Sequence, residues 1–135
     1  MGTTVKQLLI QIRDALFGGG SSAVTLTDTT ASIPAGGNLH VDVDLGDANK
    51  LSIHRVKVVA SASTDFDVFF YPDDSYTANY EDYANENNNL KMNDLFIEPL
   101  NYEDEDASNE LHMDIVNTDA SNASTFTYFI YCTKV

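Results

Sequence analysis

The sequence predicts an all-β fold: a single antiparallel β-sandwich or jelly roll of about eight strands, preceded by a short N-terminal α-helix on a Gly-rich tether. From Ala23 onward, apolar and polar residues alternate with a period of two. Asn, Asp, Gly, Ser and Pro separate the alternating segments, as turns require. The chain of 135 residues is 43% hydrophobic, which suits one buried core. We therefore divide it into a helical arm (1–17), a Gly/Ser linker (18–22) and a β-sandwich domain (23–135).

The arm carries the spacing of an amphipathic helix. Its apolar residues recur at steps of three and four, and the main stripe comprises Val5, Leu8, Leu9, Ile12 and Leu16. Ile10 and Phe17 lie off this stripe, so the helix is apolar on more than one side and needs a partner surface. Three glycines and two serines then form a flexible tether. We expect the stripe to anchor assembly on a neighbouring molecule, and packing on its own sandwich is the alternative.

The strongest strand signals lie in four segments of the domain. Their inward-facing sets are Leu39, Val41, Val43 and Leu45; Phe66, Val68 and Phe70; Leu111, Met113 and Ile115; and Phe126, Tyr128, Ile130 and Cys132. Between Leu51 and Val58 the inward phase slips by one residue around His54 and Arg55, which predicts a β-bulge. Weaker strand candidates are residues 23–27, 31–34, 76–83 and 95–98.

The charge of the chain excludes several partners. Seven Lys and Arg stand against 21 Asp and Glu, which gives a formal net charge of -14. Such a field repels nucleic acids and anionic membranes, so we expect neither as a partner. The acids are concentrated, because residues 65–119 hold sixteen of them and only Lys91 among the bases. This asymmetry indicates an interaction surface or an outward-facing one.

The sequence contains none of the motifs that mark common enzyme sites. There is no G-x-S-x-G, H-E-x-x-H, P-loop or G-x-G-x-x-G pattern, so we expect no enzyme and no cofactor. A glycosidase pair of carboxylates would also need a cleft with aromatic walls, which the sequence does not indicate. Cys132 is the only cysteine, so an internal disulfide is impossible, and its phase predicts a buried side chain. The strand phase places His40 and His112 on polar faces and His54 at the bulge, so all three are predicted to be surface histidines.

Acidic loops provide the candidate metal ligands. The candidates for calcium are Asp73, Asp74, Asp104 and Asp106, since Ca²⁺ takes six to eight oxygen ligands. The EF-hand pattern is absent, and a solvated acidic loop that opposes aggregation is the favoured interpretation.

A second candidate function is carbohydrate binding, with a host-surface glycan as the partner. Aromatic rings that stack on sugars would come from Tyr71, Tyr76, Tyr80, Tyr83 and Tyr102. Amides that read sugar hydroxyls would come from Asn79, Asn85, Asn87, Asn88 and Asn89. The chain has no Trp, and the favoured interpretation is that several of these tyrosines cap the edges of the sandwich.

Two runs in the domain resemble segments of small β-sandwich virion proteins of tailed bacteriophages. They are S-T-D-F-D-V at residues 63–68, and E-L-H-M-D-I-V-N-T-D at 110–119 with N-A-S-T-F-T at 122–127. The resemblance implies a non-enzymatic virion component, a capsid decoration or head/tail accessory protein that contacts capsid or neck/tail proteins as a homo-oligomer. Gln11, Arg13 and Asp14 interrupt the N-terminal apolar stretch, so we expect no signal peptide and a location in the virion after synthesis in the host cytoplasm.

Overall fold

A computed structural model describes residues 22–80 and 90–135, which form two antiparallel β-sheets. The seven strands of these residues are β1 (Ser22–Thr29), β2 (Asn38–Asp44), β3 (Lys50–Ala60), β4 (Phe66–Tyr71), β5 (Lys91–Glu103), β6 (Glu110–Asn117) and β7 (Phe126–Lys134). One sheet has four strands in the order β1-β7-β3-β5, and the other has three in the order β2-β6-β4. The predicted all-β class and the two-sheet arrangement are therefore confirmed.

Successive strands lie in opposite sheets throughout the described part of the chain. Each strand therefore pairs with strands that are distant in sequence, such as β1 with β7 and β2 with β6. This topology brings the segment after β4 close to the segment after β5: the Glu105 N–H donates a hydrogen bond to the Pro72 carbonyl at 2.7 Å.

The core lies between the sheets and is formed by the inward positions of both. Its fully buried side chains include Leu45, Leu51, Ile53, Val56, Val58, Phe66, Val68, Phe70, Leu111, Met113, Ile115, Phe126 and Ile130. The predicted inward phase of the four strongest segments is confirmed, although Leu39, Val41 and Val43 of the outer strand β2 are only partly buried. Cys132 is buried as predicted, and burial raises the pKa of its thiol to about 11.

The predicted bulge is confirmed at His54. Ile53 and Arg55 pair in register with both neighbouring strands, whereas the register shifts at the residue between them. The same shift is larger on the β5 side, where Leu95 pairs with Arg55 and Leu100 with Ile53. Four residues of β5 therefore stand opposite one residue of β3, an irregularity of the bulge type in this edge strand.

Two of the weaker strand candidates are wrong in their described parts. Residues 31–34 form only a single bridge, between Ile33 and Ser124. Pro34 has no N–H to extend the pairing, and a turn with Gly36 at positive φ follows. Residues 76–80 belong to no strand: Tyr76 reaches over the three-stranded sheet to stack on His40, and a backbone hydrogen bond, from the Tyr80 N–H to the Phe70 carbonyl, joins the segment to β4. The other two candidates are parts of β1 and β5, which brings the count of described strands to seven instead of about eight.

The predicted arm (1–17), most of the linker and residues 81–89, which include Tyr83, Asn85, Asn87, Asn88 and Asn89, lie outside the described residues. None of the residues that the structure describes forms a helix long and apolar enough to cross a membrane.

Candidate functional site

The outer face of the three-stranded sheet carries the most unusual group of side chains in the described residues. We call it the His112 network, and it consists of Asp42, Tyr76, Asp104, Asp106 and His112. Strand β2 supplies Asp42 and the central strand β6 supplies His112, which are register partners. The segment after β4 supplies Tyr76, and the segment after β5 supplies the other two carboxylates. Four separate parts of the chain thus meet at one imidazole ring.

The prediction that His112 is a surface histidine is wrong, since its side chain is 0% exposed. The strand phase does place it on the outward face, opposite the buried Leu111 and Met113. However, β6 is the middle strand of its sheet, and loops fold over its outward face. His112 therefore lies on the polar face of its strand and is still buried, because the sheet is covered on both sides at β6.

One nitrogen of the His112 ring faces strand β2. Its Nδ1 lies 2.7 Å from Oδ1 of Asp42. The Tyr76 hydroxyl donates to the same oxygen at 2.5 Å, so this oxygen accepts two hydrogen bonds. Tyr76 reaches this position with a φ of 53°, a left-handed conformation that is rare for a large side chain. Its ring stacks on the ring of His40 at 3.6 Å and meets the ring of His112 edge-on.

The other ring nitrogen faces the segment after β5. Nε2 of His112 lies 3.1 Å from Oδ2 of Asp106 and 3.2 Å from Oδ1 of Asp104. Ser108 closes this side of the ring, because its hydroxyl lies within hydrogen-bond distance of both carboxylates and can donate its one proton to either. The Glu110 N–H also donates to Asp104, at 2.9 Å. The two carboxylates are thus held by their own loop as well as by the ring.

This arrangement favours a doubly protonated, positively charged His112. An ionised carboxylate accepts hydrogen bonds and donates none, so each ring nitrogen must carry a proton to bond its neighbour. Burial lowers the pKa of His112, but the hydrogen bonds to Asp42 and Asp104 and the charge of Asp106 outweigh it, so the pKa is raised. Hydrogen bonds from Ser108 are the main reason that the pKa of Asp106 is lowered. Opposite charges inside the network therefore support each other's ionised states.

The pKa values of Tyr76 and Asp42 are also shifted, so that the phenol stays protonated and the carboxylate stays ionised. Burial and the hydrogen bond to Asp42 raise the pKa of the Tyr76 hydroxyl, so it remains a donor throughout the physiological range. Burial raises the pKa of Asp42, yet the hydrogen bonds from Tyr76 and His112 outweigh that effect and lower it. The network thus holds one cationic ring among three carboxylates and one phenol.

The geometry does not favour acid–base catalysis. The Asp42, His112 and Ser108 side chains resemble the order of a catalytic triad, with the serine hydroxyl 3.4 Å from Nε2. Nε2 has two closer partners, however, and both are carboxylate oxygens that keep it protonated. A protonated nitrogen cannot accept the serine proton, so His112 is not poised as a general base. The arrangement ties loops to a sheet.

The structure brings two of the four calcium candidates together. Ligand atoms of Asp104, Asp106 and His112 lie within 4.8 Å of one another. Asp74 lies next to them, with its backbone N–H donating to Asp106 at 3.1 Å, whereas the Asp73 carboxylate accepts hydrogen bonds from Ser75 in its own turn. Two carboxylates and an imidazole suit a transition-metal ion better than calcium, which prefers oxygen ligands alone. The calcium site remains a prediction.

Of the five tyrosines proposed for sugar stacking, the four within the described residues make contacts inside the domain. Tyr102 is buried, and its hydroxyl donates to the Glu110 carbonyl at 2.9 Å. Tyr80 packs its ring on Tyr102 and donates its hydroxyl to the Glu103 carbonyl. Tyr71 lies 5.1 Å from Tyr76, whose face is covered by His40. These contacts match the interpretation that the sequence favours, in which several of these tyrosines cap the edges of the sandwich.

Comparison with known proteins adds one distant likeness. No family model and no curated protein matches the chain. Among solved structures, the chain is similar to the crystal structure of PliG from Aeromonas hydrophila, a periplasmic lysozyme inhibitor of g-type lysozyme. The identity is 15% and the TM-score 0.44, over 86% of this chain and 90% of that chain.

Proposed function

We propose that the protein is a non-enzymatic structural component of a bacteriophage virion, a capsid decoration or head-associated accessory protein that assembles with other copies. It uses the arm of residues 1–17 as a helical anchor and presents its acidic sandwich outward. The observation that carries the proposal is the His112 network: the site most similar to a catalytic centre is closed, with both ring nitrogens bonded to carboxylates of the same chain. Such a site stabilises loops and leaves the surfaces of the domain for contacts.

The architecture supports the same role. A single sandwich without disulfides has two broad outer faces and several loops for contacts with neighbours. A flexible tether makes a second contact effectively intramolecular, so an arm strengthens an assembly with little extra surface. A jelly roll would require an eighth strand from residues beyond the two described ranges. The proposal needs only the two-sheet sandwich.

The experiment tests the arm in the full chain. Leu8→Asp with Ile12→Asp places two charges on the predicted apolar stripe, and Gln7→Asp with Gln11→Asp places them on the polar side as a matched control. We expect the stripe variant to have a lower molar mass by light scattering and the control to match the wild type, because a buried charge without a partner opposes assembly. Mass spectrometry of purified particles of the encoding phage should detect the wild-type protein. Equal molar masses for both variants, or absence from the particles, would contradict the proposal.

A further inference from the structure

The outer face of the four-stranded sheet differs in chemistry from the rest of the described surface. We call it the cationic face, and it consists of Arg55, Lys57, Lys91, Phe129 and Tyr131. Cross-strand pairing places Tyr131 beside Arg55 and Phe129 beside Lys57. The side chains of β7 in this phase point away from the core, because they alternate with the buried Ile130 and Cys132. The face therefore presents cations and aromatic rings side by side.

Two cation–π contacts order this surface. The Arg55 guanidinium lies 5.4 Å from the centre of the Tyr131 ring, and the Lys57 ammonium lies 5.2 Å from that of Phe129. Arg55 is also fixed by a 2.7 Å hydrogen bond that its Nε donates to Asn93. Side chains that are already ordered lose less entropy when a partner binds. A shallow depression of about 370 Å³, lined in part by Tyr131 and His54, opens beside them.

The centre of the cationic face carries no carboxylate, although the chain has 21 Asp and Glu. Three successive rows cross the sheet from β1 to β5: Thr25, Tyr131, Arg55 and Leu95; Thr27, Phe129, Lys57 and Asn93; Thr29, Thr127, Val59 and Lys91. At the β5 edge, Leu95 is 75% exposed and Ile97 102%. Arginine, aromatic and apolar side chains in one patch are typical of a protein interface.

Every Lys and Arg within residues 22–80 and 90–135 belongs to the four-stranded sheet, on β3, β5 or β7. The three-stranded sheet has only acids and histidines as ionisable side chains apart from Tyr71. Its outer side, with the loops that cover it, exposes Asp44, Asp74 and Glu105. We call these three residues the acidic face. The two faces lie on opposite sides of one sandwich and carry opposite charge.

We propose that the cationic face binds the acidic face of a second copy of this chain. The contact is head-to-tail, so repeated copies close into a ring or extend as a filament, according to the rotation between neighbours. It rests on the proposed assembly function and adds a second contact that does not involve the arm. A nucleic acid fits less well, because this chain has a net charge of -14 and repels the phosphates. A nucleic acid also has no cations of its own that would offset this repulsion. A second copy matches the sign of the face and brings its own cations on its far side.

A charge-swap experiment in the full chain tests the contact. One variant carries Arg55→Glu and Lys57→Glu, and the other carries Asp44→Lys and Asp74→Lys. Each variant should associate on the order of a hundredfold more weakly than the wild type in sedimentation equilibrium, since like charges now face each other. An equimolar mixture should regain association. The cationic face of the first variant is now negative at residues 55 and 57, and the acidic face of the second is now positive at residues 44 and 74, so these two mutated faces attract each other. The control, Lys50→Glu with Lys134→Glu, changes the net charge as the Arg55→Glu, Lys57→Glu variant does, but at the end of the sheet, and should associate as the wild type does.

Several outcomes would overturn this inference. They are a wild-type chain that stays monomeric, equal weakening by the control, a mixture that does not regain association, or single-stranded DNA that binds the wild type and not the Arg55→Glu, Lys57→Glu variant. Circular dichroism of each variant checks that it is folded. If the arm variant loses assembly while the charge-swap variants do not, the proposed function stands and the head-to-tail contact is rejected. If the charge-swap variants lose association and the arm variant does not, the head-to-tail contact stands and assembly through the arm is rejected.

Discussion

The two outer faces of the sandwich handle charge in opposite ways. On the three-stranded sheet, loops from two other parts of the chain fold over β6, and the charges of Asp42, Asp104 and Asp106 are bonded to His112. On the four-stranded sheet, the cations lie over the rings of Tyr131 and Phe129 with no covering loop described. On the three-stranded sheet the charged side chains bond to one another within the chain. On the four-stranded sheet we propose that the cations bind a second copy.

The difference follows from how each charge is solvated. His112 is fully buried, so its charge depends on the carboxylates around it, and its removal leaves the equally buried Asp104 without the cation that it bonds. Arg55 and Lys57 are half-buried and keep contact with water, and cation–π contacts outside a desolvated interior are worth about 0.5 to 1 kcal/mol each. Substitutions on the covered face should therefore change the free energy of unfolding, whereas substitutions on the open face should mainly change association.

The largest expected effect is that of His112→Gln. The glutamine is neutral, so three carboxylates lose the cation between them, and we expect a loss of about 3 kcal/mol in the free energy of unfolding. This is the lower end of the range for broken buried ion pairs, because Asp42 and Asp106 remain 41% and 20% exposed. Urea denaturation at neutral pH measures the change. His54→Gln, on the other sheet, is the matched control and should cost less than about 1 kcal/mol, and equal losses would refute the contrast between the faces.

The sequence predicted the strands better than their partners. Alternation alone identified the inward sets around Val68, Met113 and Ile130, and the phase slip located the bulge at His54. These patterns are local, since each depends on neighbours within a few residues. Which strands pair is decided by contacts between distant segments, and here every connection changes sheet. The alternation of apolar and polar residues within one strand does not indicate which strands pair.

The candidate site was predicted only in part for the same reason. The acidic run that contains Asp104 and Asp106 was recognised, but His112 was assigned to the surface because its strand alternates correctly. Its partner Asp42 is 70 residues away in sequence. The signals that would have found the site are weak: a histidine in the strand that becomes central, and a tyrosine-rich crossover after β4. Similarly, the acid-rich half was visible in the sequence, whereas the gathering of Lys and Arg on one sheet required the topology.

The second prediction concerns pH. A raised pKa in the folded state means that His112 adds stability that is fully present below its ordinary value of 6.5 and is lost as the pH rises through the folded-state pKa. The free energy of unfolding of the wild type should therefore decline from pH 6.5 toward pH 9, more steeply than that of His112→Gln. Up to pH 9 the tyrosines contribute little, since their ordinary pKa is 10.0 and burial raises the folded-state pKa of Tyr76 and Tyr102 further, so they are protonated in both states. Urea denaturation across this range, with a chelator present to exclude metal ions, measures both slopes, and parallel slopes would show that the ring is not the source.

The smallest effect separates two tyrosines, one on each face. Tyr76→Phe removes the hydroxyl that donates to Asp42 but keeps the ring stacked on His40, so we expect a loss of about 1 kcal/mol in the free energy of unfolding. Tyr131→Phe keeps the ring under Arg55 and should change the free energy by less than about 0.5 kcal/mol. Thermal and urea denaturation of the two variants give the comparison. The Tyr76 hydroxyl matters on the covered face because it donates one of the two hydrogen bonds that Oδ1 of Asp42 accepts. On the open face, the ring of Tyr131 alone makes the contact with Arg55. If Tyr131→Phe proved the more costly of the two, the open face would hold a polar contact of its own, and its description as a surface kept for a partner would fail.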